Sequence, residues 1–459
     1  MTLIKSISGI RGTIGGQAGN ALTPVDLVAF SSAYAVFIKE RSGKNQPKIV
    51  LGRDARPSGP MVQQIVSSTL RMCGIHVLDA DLSTTPTVEM GVVFEKADGG
   101  IILTASHNPV QWNALKLLNE KGEFLSGKDG ERILEIASKG DFNYAEVQDL
   151  GSLLPLDDLL EKHIAAIIAL PYIDIDAIKD ADFTVSVDAV NSSGGIAIPL
   201  LLRKLGVKRI HELYCEPNGQ FPHNPEPLEE HLSEIMKLTK EKSCDLGIVV
   251  DPDVDRLALI TEEGKMFGEE YTLVACADFL LPIKGGSTVS NLSSSRALRD
   301  ITQKHGFNYS ASAVGEVNVV TEMKRTEAVI GGEGNGGIIL PDLHYGRDSL
   351  VGVALILSHL AKSGKTLSQL KASYSNYAML KQKIDLNPSL NVDALLERVV
   401  EAFSDEEVST IDGVKVDFKE GWVHLRKSNT EPILRVYAEG STAEVAQSLV
   451  SRMKSVIDS

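Results

Sequence analysis

The chain alternates between short apolar runs and longer segments in which apolar residues recur every three to four positions. The short runs predict buried β-strands and the longer segments predict amphipathic helices. One predicted strand–helix–strand unit spans residues 47–52, 59–74 and 75–81. A second spans residues 183–190, 195–206 and 207–214, and a third spans residues 246–251, 269–281 and 287–292. This order and spacing are typical of βαβ units, so we predict an α/β fold with largely parallel sheets.

The last part of the chain follows a different pattern. Residues 414–428 alternate like a β-hairpin with a turn at Glu420 and Gly421, and residues 441–457 have the period of an amphipathic helix. We therefore predict a smaller α+β domain at this end. Candidate domain boundaries lie near residues 153–155, shortly after Arg256 and within residues 363–380.

A weak internal repeat accompanies the βαβ pattern. Three apolar strands run into polar or glycine-rich loops, within residues 99–108, 245–256 and 327–337. Repetition of one α/β unit and ordinary strand-to-loop punctuation both account for this pattern. Ligands of open α/β sheets bind beyond the carboxyl ends of the strands, so we expect all three loops to face one cleft.

Composition narrows the class of protein. A length of 459 residues predicts several domains, and the net charge of −15 argues against a nucleic-acid-binding surface. The apolar runs are too short to cross a bilayer, and no signal peptide is recognisable, so no membrane association is expected. The four cysteines are scattered, as in a cytoplasmic protein with reduced thiols: Cys73, Cys215, Cys244 and Cys276.

The first candidate for chemistry is DPDVDR (251–256), which directly follows an apolar strand. Asp251, Asp253 and Asp255 would repel one another unless they share a cation, and Mg²⁺ suits such oxygen ligands. A solvated acidic turn is the alternative. An EF-hand loop is excluded because Arg256 stands where that loop requires glycine.

The second candidate is Ser106, in DGGIILTASHNP (98–109). It could cap a helix while Asn108 and Pro109 turn the chain. A hydrolase nucleophile elbow is disfavoured because its flanking glycines are missing. The third interpretation is a phosphoryl carrier near a metal ion, with His107 and Lys116 available for proton transfer.

Two further loops have binding chemistry. In GGEGNGG (331–337), Glu333 and Asn335 stand among glycines and suit a polyol, although a flexible turn has the same composition. The segment RKSNTEPILR (426–435) has the composition of a phosphate cradle, or else of a solvated basic hairpin tip. Its candidate residues are Arg426, Ser428, Asn429, Thr430 and Arg435, and Arg11 in SGIRG (8–12) adds another cation.

Taken in order, five segments resemble the α-D-phosphohexomutase family, which includes phosphoglucomutases, phosphomannomutases and phosphoglucosamine mutases. The segments are SGIRG, TASHNP (104–109), DPDVDR, GEGNGG (332–337) and RKSNTEPILRVYAE (426–439). The resemblance implies three related mixed-sheet α/β domains and a C-terminal α+β domain, similar to TATA-binding-protein-like folds, around a central cleft. The expected domains are 1–153 with the phosphoserine loop, 154–256 ending in the metal loop, 257–370 with the sugar-binding loop and 371–459 with the phosphate-binding loop.

The resemblance also implies roles for individual residues. Ser106 matches the family's phosphoserine and would bind one Mg²⁺ together with Asp251, Asp253 and Asp255. Lys116 matches a lysine that assists proton transfer, and His107 and Arg11 would lie beside the phosphoserine. The residues expected to bind substrate are Arg256, Glu333, Asn335, Arg426, Ser428, Asn429, Thr430 and Arg435.

Three departures from the family pattern bear on the sugar. The sugar loop usually reads G-E-x-S-G-H, whereas Asn335 and Gly337 stand here in place of the serine and the histidine. Ala114 replaces a glycine, and Asn318 lies where a basic residue is common. The GEGNGG variant is similar to bacterial and archaeal members called phosphoglucosamine mutases, which implies interconversion of glucosamine 6-phosphate and glucosamine 1-phosphate.

The alternative substrates are those of a phosphomannomutase or phosphoglucomutase. A remoter alternative is a phosphatase with Asp251 as nucleophile, and a non-enzymatic sugar-phosphate-binding regulator is a third. For a mutase, the implied activator is a hexose 1,6-bisphosphate. The expected partner is a small sugar phosphate, with no nucleic acid or membrane, in a cytoplasmic monomer or homodimer.

Overall fold

The computed structural model describes residues 2–6, 9–385, 392–427 and 433–457, which form four β-sheets with their flanking helices. The strands of the first sheet are β1 (Ile4–Ser6), β2 (Gly9–Thr13), β3 (Lys48–Arg53), β4 (His76–Leu82), β5 (Gly99–Leu103), β6 (Trp112–Leu118) and β7 (Leu153–Pro155). Their order is β1-β2-β6-β5-β3-β4-β7, and β3, β4, β5 and β7 run parallel. Its helices are α1 (Pro24–Ser42), α2 (Gly59–Met72), α3 (Thr85–Phe94) and α4 (Gly127–Lys139).

The second sheet contains four strands, which are β8 (Thr184–Asp188), β9 (Arg209–Leu213), β10 (Leu246–Val250) and β11 (Leu257–Thr261). They are ordered β11-β10-β8-β9. The helices of this part of the chain are α5 (Leu159–Ile168), α6 (Ile175–Ala181), α7 (Gly194–Leu205) and α8 (Ser233–Glu241).

The third sheet repeats this plan with β12 (Thr288–Asn291), β13 (Tyr309–Ser312), β14 (Ile330–Glu333) and β15 (Gly337–Ile339), in the order β13-β12-β14-β15. Its helices are α9 (Glu269–Lys284), α10 (Ala297–Lys304), α11 (Glu316–Thr326), α12 (Ser349–Ser363) and α13 (Leu367–Ala372). In each of the first three sheets, one strand that pairs with a parallel neighbour also pairs with an antiparallel strand that follows it: β5 with β6, β10 with β11 and β14 with β15. The three predicted functional loops connect these pairs.

The fourth sheet is antiparallel throughout. Its strands are β16 (Ala378–Asp385), β17 (Glu407–Ser409), β18 (Val414–Asp417), β19 (Gly421–Lys427) and β20 (Ile433–Gly440), in the order β16-β20-β19-β18-β17. Helices α14 (Val392–Ala402) and α15 (Ala443–Ile457) accompany it. The predicted fold class of three mixed-sheet α/β units and a smaller α+β unit is confirmed.

The predicted hairpin turn at Glu420 and Gly421 is wrong in detail. Gly421 is already the first residue of β19 and lies opposite Gly440, so residues 418–420 make the turn. A Cβ atom at Gly421 would lie 2.0 Å from the carbonyl oxygen of Glu439, and the missing side chain therefore lets the two strands pair closely.

The expected domain boundaries cut through paired or helical elements. The boundary between residues 153 and 154 lies within β7, which pairs with β4 of the first sheet. The boundary after Arg256 separates β10 from its antiparallel partner β11, and the one after residue 370 lies within α13. Boundaries after Pro155, Thr261 and Ala372 would keep these elements whole.

Apolar side chains form separate cores for the first and fourth sheets, whereas the second and third sheets share one core. Helices α9 and α12 contribute many fully buried residues to this shared core. A shared core fixes the second and third sheets relative to each other. Among the described residues, no helix combines the length and the apolar character needed to cross a bilayer.

Candidate active site

The turn after β5 directs Ser106 toward the carboxylates of the second sheet. Its backbone N–H donates to Thr104 Oγ1 at 2.9 Å, and its φ of 49° is uncommon for a residue other than glycine. The Ser106 hydroxyl donates to Asp251 Oδ2 at 2.8 Å, and His107 Nδ1 lies 3.4 Å from the same Oγ. Ser106 starts no helix, so the capping alternative is excluded.

The reasoning from sequence missed Arg56, a fully buried arginine that holds this turn from behind. Its Nε donates to Asp54 Oδ2 at 2.9 Å, and Asp54 also accepts from Thr104 Oγ1 at 2.7 Å. The remaining guanidinium N–H groups donate to four backbone carbonyls, those of Ser106, Asn108, Pro109 and Trp112. One cation therefore fixes the backbone of the whole turn.

A sequence signal for Arg56 existed. The polar run DARP (54–57) follows apolar β3, and β3 runs parallel to β5. Carboxyl ends of neighbouring parallel strands lie at one edge of a sheet, so residues after β3 and β5 meet there.

The predicted metal loop brings three fully buried carboxylates together, at Asp251, Asp253 and Asp255. Asp251 Oδ1 accepts from the backbone N–H groups of Asp255 and Arg256 at 3.1 and 3.2 Å. Thr85 Oγ1 donates to Asp253 Oδ2 at 2.6 Å. The other oxygens, Asp253 Oδ1 and Asp255 Oδ1, are buried and have no hydrogen-bond partner among the described residues. Unpartnered buried carboxylate oxygens in a cluster are what a hard divalent cation requires.

Lys116, on β6, provides a positive charge to the same cluster. Its Nζ lies 2.6 Å from Asp253 Oδ2 and 3.3 Å from Asp255 Oδ2. Burial opposes the charge of Lys116, but these two carboxylates raise its pKa above the usual value. The side chain is therefore held as an ammonium ion.

Burial and neighbouring charges also shift the pKa values of two residues at the Ser106 hydroxyl. Burial, followed by the charges of Asp253 and Asp255, raises the pKa of Asp251 well above its usual range. Burial and the nearby cation of Arg256 lower the pKa of His107 to about 2, so its imidazole is neutral. The charges of Asp253 and Asp255 thus oppose ionisation of Asp251, and a divalent cation would offset this repulsion.

The two other predicted cations lie on neighbouring elements. Arg11 is on β2, opposite Ala114 of β6, and burial together with the charge of Arg256 lowers the pKa of Arg11. Arg256 follows the three aspartates, and its Nη1 donates to Glu226 Oε1 at 3.3 Å.

The predicted sugar-binding residues Glu333 and Asn335 lie at the turn between β14 and β15. Glu333 Oε1 accepts from Asn291 Nδ2 at 3.0 Å and from the backbone N–H of Gly315 at 3.2 Å. Asn335 Oδ1 accepts from the backbone N–H of Gly337 at 3.2 Å. A carboxylate oxygen accepts about two hydrogen bonds, so Oε1 is occupied and a ligand hydroxyl would donate to Oε2 of Glu333.

Arg347 is a second buried arginine that the sequence reasoning missed. Its Nη1 donates to Glu333 Oε2 at 2.9 Å and its Nη2 to Asp255 Oδ2 at 2.7 Å. This one side chain therefore joins the predicted sugar loop to the predicted metal loop. The run HYGRD (344–348), polar between apolar β15 and α12, was the available signal.

The predicted phosphate cradle is only partly described. Arg426 on β19 lies opposite Arg435 on β20, and Arg426 Nε is 2.8 Å from Asp412 Oδ2. The same Asp412 oxygen accepts from the backbone N–H of Val314, which joins the fourth sheet to the third-sheet unit. Ser428, Asn429 and Thr430 lie outside the described residues.

A second buried polar cluster lies where the first three units meet. Asp348 Oδ2 is 3.0 Å from His163 Nε2 and 3.3 Å from His344 Nε2, and His163 Nδ1 is 3.0 Å from Thr87 Oγ1. The buried carboxylate of Glu89 lies 3.3 Å from His344 Nδ1. Although His163, His344 and Asp348 have metal-ligating groups, the hydrogen bonds among them already partner the ring Nε2 atoms.

Comparison with known proteins finds one family across most of the chain. Residues 3–144, 161–264 and 268–377 match the α/β/α domains I, II and III of phosphoglucomutase/phosphomannomutase, and residues 381–456 match its C-terminal domain. A phosphoglucomutase/phosphomannomutase of Thermococcus kodakarensis is 34% identical over 95% of both chains. A phosphoglucosamine/phosphogalactosamine mutase of Sulfurisphaera tokodaii is 32% identical over 98% of both.

Solved structures give the same fold. A phosphoglucomutase/phosphomannomutase family protein of Burkholderia thailandensis superposes with a TM-score of 0.83 at 23% identity, covering 99% of this chain and 98% of that one. The N-acetylphosphoglucosamine mutase of Aspergillus fumigatus, solved with GlcNAc-6P and magnesium, has a TM-score of 0.58 at 13% identity, covering 94% and 97%.

Proposed function

The chain belongs to the phosphoglucomutase/phosphomannomutase family, and from this premise we propose that it moves a phosphoryl group between C1 and C6 of a hexose phosphate. Phosphorylated Ser106 would donate the group to a free sugar hydroxyl. The resulting bisphosphorylated sugar would turn over in the cleft and return its other phosphate to Ser106. The observation that carries this proposal is the 2.8 Å hydrogen bond from Ser106 Oγ to Asp251 in the three-carboxylate cluster.

We propose that one Mg²⁺ binds at this cluster, between Ser106 Oγ, Asp251, Asp253 and Asp255. The donor set fits, because all ligands are oxygen atoms and Asp253 Oδ1 and Asp255 Oδ1 are buried without a partner. When bound, the ion would offset negative charge on the transferring phosphoryl group. The magnesium in the Aspergillus fumigatus complex is consistent with this assignment.

The protein's own residues would prepare the transfer. Arg56 and Thr104 hold the backbone of the Ser106 turn, so the serine would start from a fixed place while a sugar changes orientation. The Lys116 ammonium lies against the carboxylates and would stabilise charge on the phosphoryl oxygens. The Nδ1 atom of His107 lies 3.4 Å from Ser106 Oγ, where it would help to orient the serine hydroxyl.

We propose that the substrate contacts are divided between two ends of the cleft. Glu333 and Asn335 would bind sugar hydroxyls, with Arg11 and Arg256 nearer the transfer site. Arg426, Ser428, Asn429, Thr430 and Arg435 would bind the phosphate that is not being transferred. Arg426 and Arg435 lie opposite each other on adjacent strands, which supports a paired role.

We propose glucosamine 6-phosphate and glucosamine 1-phosphate as the preferred pair, activated by the matching 1,6-bisphosphate. The support is the name of the Sulfurisphaera tokodaii relative and the GEGNGG form of the loop. Glucose and mannose phosphates are the alternatives that the Thermococcus kodakarensis relative supports. A panel of these three sugars, assayed with and without bisphosphate, decides: a higher kcat/KM for glucose or mannose would overturn the glucosamine assignment.

The role of Ser106 has its own test. Ser106→Ala should abolish turnover while circular dichroism stays unchanged, and wild-type turnover by this variant would refute the phosphoserine. Incubation with hexose 1,6-bisphosphate should label Ser106 with an acid-stable phosphate. A label that hydroxylamine removes would instead indicate an aspartyl phosphate, as the phosphatase alternative requires.

We also propose that the protein works in the cytoplasm as a monomer or homodimer, without a nucleic-acid or membrane partner. The net charge of −15 supports the first exclusion, since phosphate-backbone binding needs clustered cations. Light scattering coupled to gel filtration measures the oligomeric state directly, and a stable tetramer would contradict the proposal.

A further inference from the structure

Arg347 connects three carboxylates that come from three separate segments. Its Nη2 donates to Asp255 Oδ2 at 2.7 Å, its Nη1 to Glu333 Oε2 at 2.9 Å and its Nε to Glu316 Oε2 at 3.0 Å. Asp255 follows β10 of the second sheet, Glu333 ends β14 of the third sheet, and Glu316 begins α11. All three guanidinium nitrogens are thus engaged on different partners.

The sugar loop is shaped to admit this side chain. A Cβ atom at Gly337 would lie 2.3 Å from Arg347 Cδ, so any side chain at residue 337 would displace the stem of Arg347. Gly337 is one of the positions at which the loop departs from the pattern of the family that it resembles. The stem of Arg347 therefore occupies the space that a side chain at residue 337 would fill.

The backbone beneath Arg347 is held in place independently. Asp348 Oδ1 accepts from the backbone N–H groups of Leu350 and Val351 at 2.8 and 3.3 Å, at the start of α12. Its other oxygen is bound to the two histidines of the buried cluster. The backbone of Arg347 is consequently fixed, and the position of its guanidinium is set by the three carboxylates that it contacts.

The charge of Arg347 is secure as well. Burial alone would lower its pKa, but Asp255, Glu316 and Glu333 raise it well above the usual value. At Asp255, Arg347 and Lys116 both bind Oδ2, which leaves Oδ1 unpartnered and free to face a cation. Residues that bind the outer oxygen of a metal-ligating carboxylate orient it and tune its affinity.

We propose that Arg347 is a positioning residue that couples the metal loop to the sugar loop. It orients Asp255 for the divalent cation and Glu333 for the sugar. A change in the position of either carboxylate therefore shifts the other through the shared guanidinium. The sugar part of this inference rests on the function proposed above. Its metal part does not, because it concerns only the affinity of the three-aspartate cluster for a divalent cation.

The first test measures Mn²⁺ binding by calorimetry, which needs no turnover. Arg347→Met should weaken Mn²⁺ binding by about tenfold or more, the range found when outer partners of metal ligands are removed. Arg347→Lys should recover only part of the loss, because a single ammonium cannot span three carboxylates. The matched control is Arg325→Met on α11, because Arg325 is exposed and its ion pair within the described part of the chain is with Glu322. This variant should bind Mn²⁺ like the wild type.

The second test separates coupling from a merely local effect. Glu333 is linked to Asp255 through Arg347, so Glu333→Gln should change the Mn²⁺ dissociation constant of the wild type by about threefold or more. In the Arg347→Met background the same substitution should change it by less than about 1.5-fold. Equal shifts in both backgrounds, or no shift in either, would overturn the proposal.

A packing test examines the contact between Gly337 and the stem of Arg347 without any metal ion. Gly337→Ala should lower the thermal midpoint of the wild type, because its Cβ collides with the arginine stem. In an Arg347→Ala background the collision with the arginine stem is gone and only the 3.1 Å contact with Asn335 Oδ1 remains, so Gly337→Ala should cost clearly less. An equal loss in both backgrounds would show that Arg347 does not occupy this space. Failure of the proposed mutase activity would leave the Mn²⁺ and packing results intact, so the two proposals fail separately.

Discussion

Replacing Arg56 by methionine tests whether the Ser106 turn depends on one buried cation. Methionine has a similar length and no charge, so the main change is the loss of five donors. Asp54 would remain buried beside Thr104, and four backbone carbonyls would lose their charged partner. Removing one partner of a buried ion pair costs about 3–5 kcal/mol.

The four backbone carbonyls add less to the free energy lost in Arg56→Met than their number suggests. Asn108 is half-buried and Pro109 is exposed, so water can replace the guanidinium at these two residues. We therefore expect a total loss of about 3–5 kcal/mol in the opening free energy of β5 and β6. That loss corresponds to hydrogen exchange that is faster by a factor of about 10² to nearly 10⁴.

Hydrogen exchange followed by mass spectrometry is the assay, since local opening is resolved even when a multi-domain chain does not unfold in one step. Peptides that cover residues 99–118 should exchange faster, while those of the fourth sheet should not change. Arg132→Met is the matched control, because Arg132 also pairs with two carboxylates, those of Glu40 and Glu135, but at the surface. Its exchange should equal that of the wild type.

The pH dependence of the loss provides a second check. Burial raises the pKa of Asp54, and Arg56 opposes this shift. Without Arg56, the folded pKa of Asp54 would lie still further above its unfolded one, so Asp54 would be protonated over a wider pH range in the folded protein. Stability would then fall as pH rises, so Arg56→Met should cost more at pH 8 than at pH 5. A loss no greater than that of Arg132→Met, at either pH, would refute the role assigned to Arg56.

Three further substitutions test other parts of the site. Burial raises the pKa of Glu89 from 4.5 to about 8, so the carboxyl takes up a proton on folding and the stability of the wild type should decline as pH rises through that window. Glu89→Gln should flatten this decline when urea midpoints are measured against pH, and an unchanged slope would contradict the assignment. Gly346→Ala places a Cβ 1.8 Å from Glu89 Oε2 and should cost about 1–3 kcal/mol by urea unfolding, whereas a neutral result would mean that the turn relaxes freely. Asp255→Asn should weaken Mg²⁺ binding in calorimetric titrations, and wild-type affinity would remove Asp255 from the proposed ligand set.

The strand and helix pattern was readable because each element has a clear period. Apolar β5 and β10 are buried along their whole length, and both lead into the polar loops that the sequence marks. Strand ends were harder, as at Gly421, because backbone pairing with a distant strand decides where a strand begins. The candidate carboxylates were found because aspartates at alternate positions after a buried strand repel one another unless they share a cation.

The sequence pattern does not predict the roles of Arg56 and Arg347, for a different reason. In the sequence each is one arginine in a short polar run, with nothing nearby that requires a buried cation. The turn that Arg56 holds begins 50 residues further along the chain, at Ser106. Asp255, the partner of Arg347 in the metal loop, lies 92 residues before it. Only the packing of the sheets makes such partners meet.

The sequence by itself determined the class of fold, the order of the loops and the chemical character of each, because periodicity and local composition are properties of neighbouring residues. The tertiary structure decided which oxygen of each aspartate is held, which is left unpartnered, and which arginine holds the turn or joins the loops. These are distances between segments from different sheets, and they follow from long-range packing that local pattern does not encode.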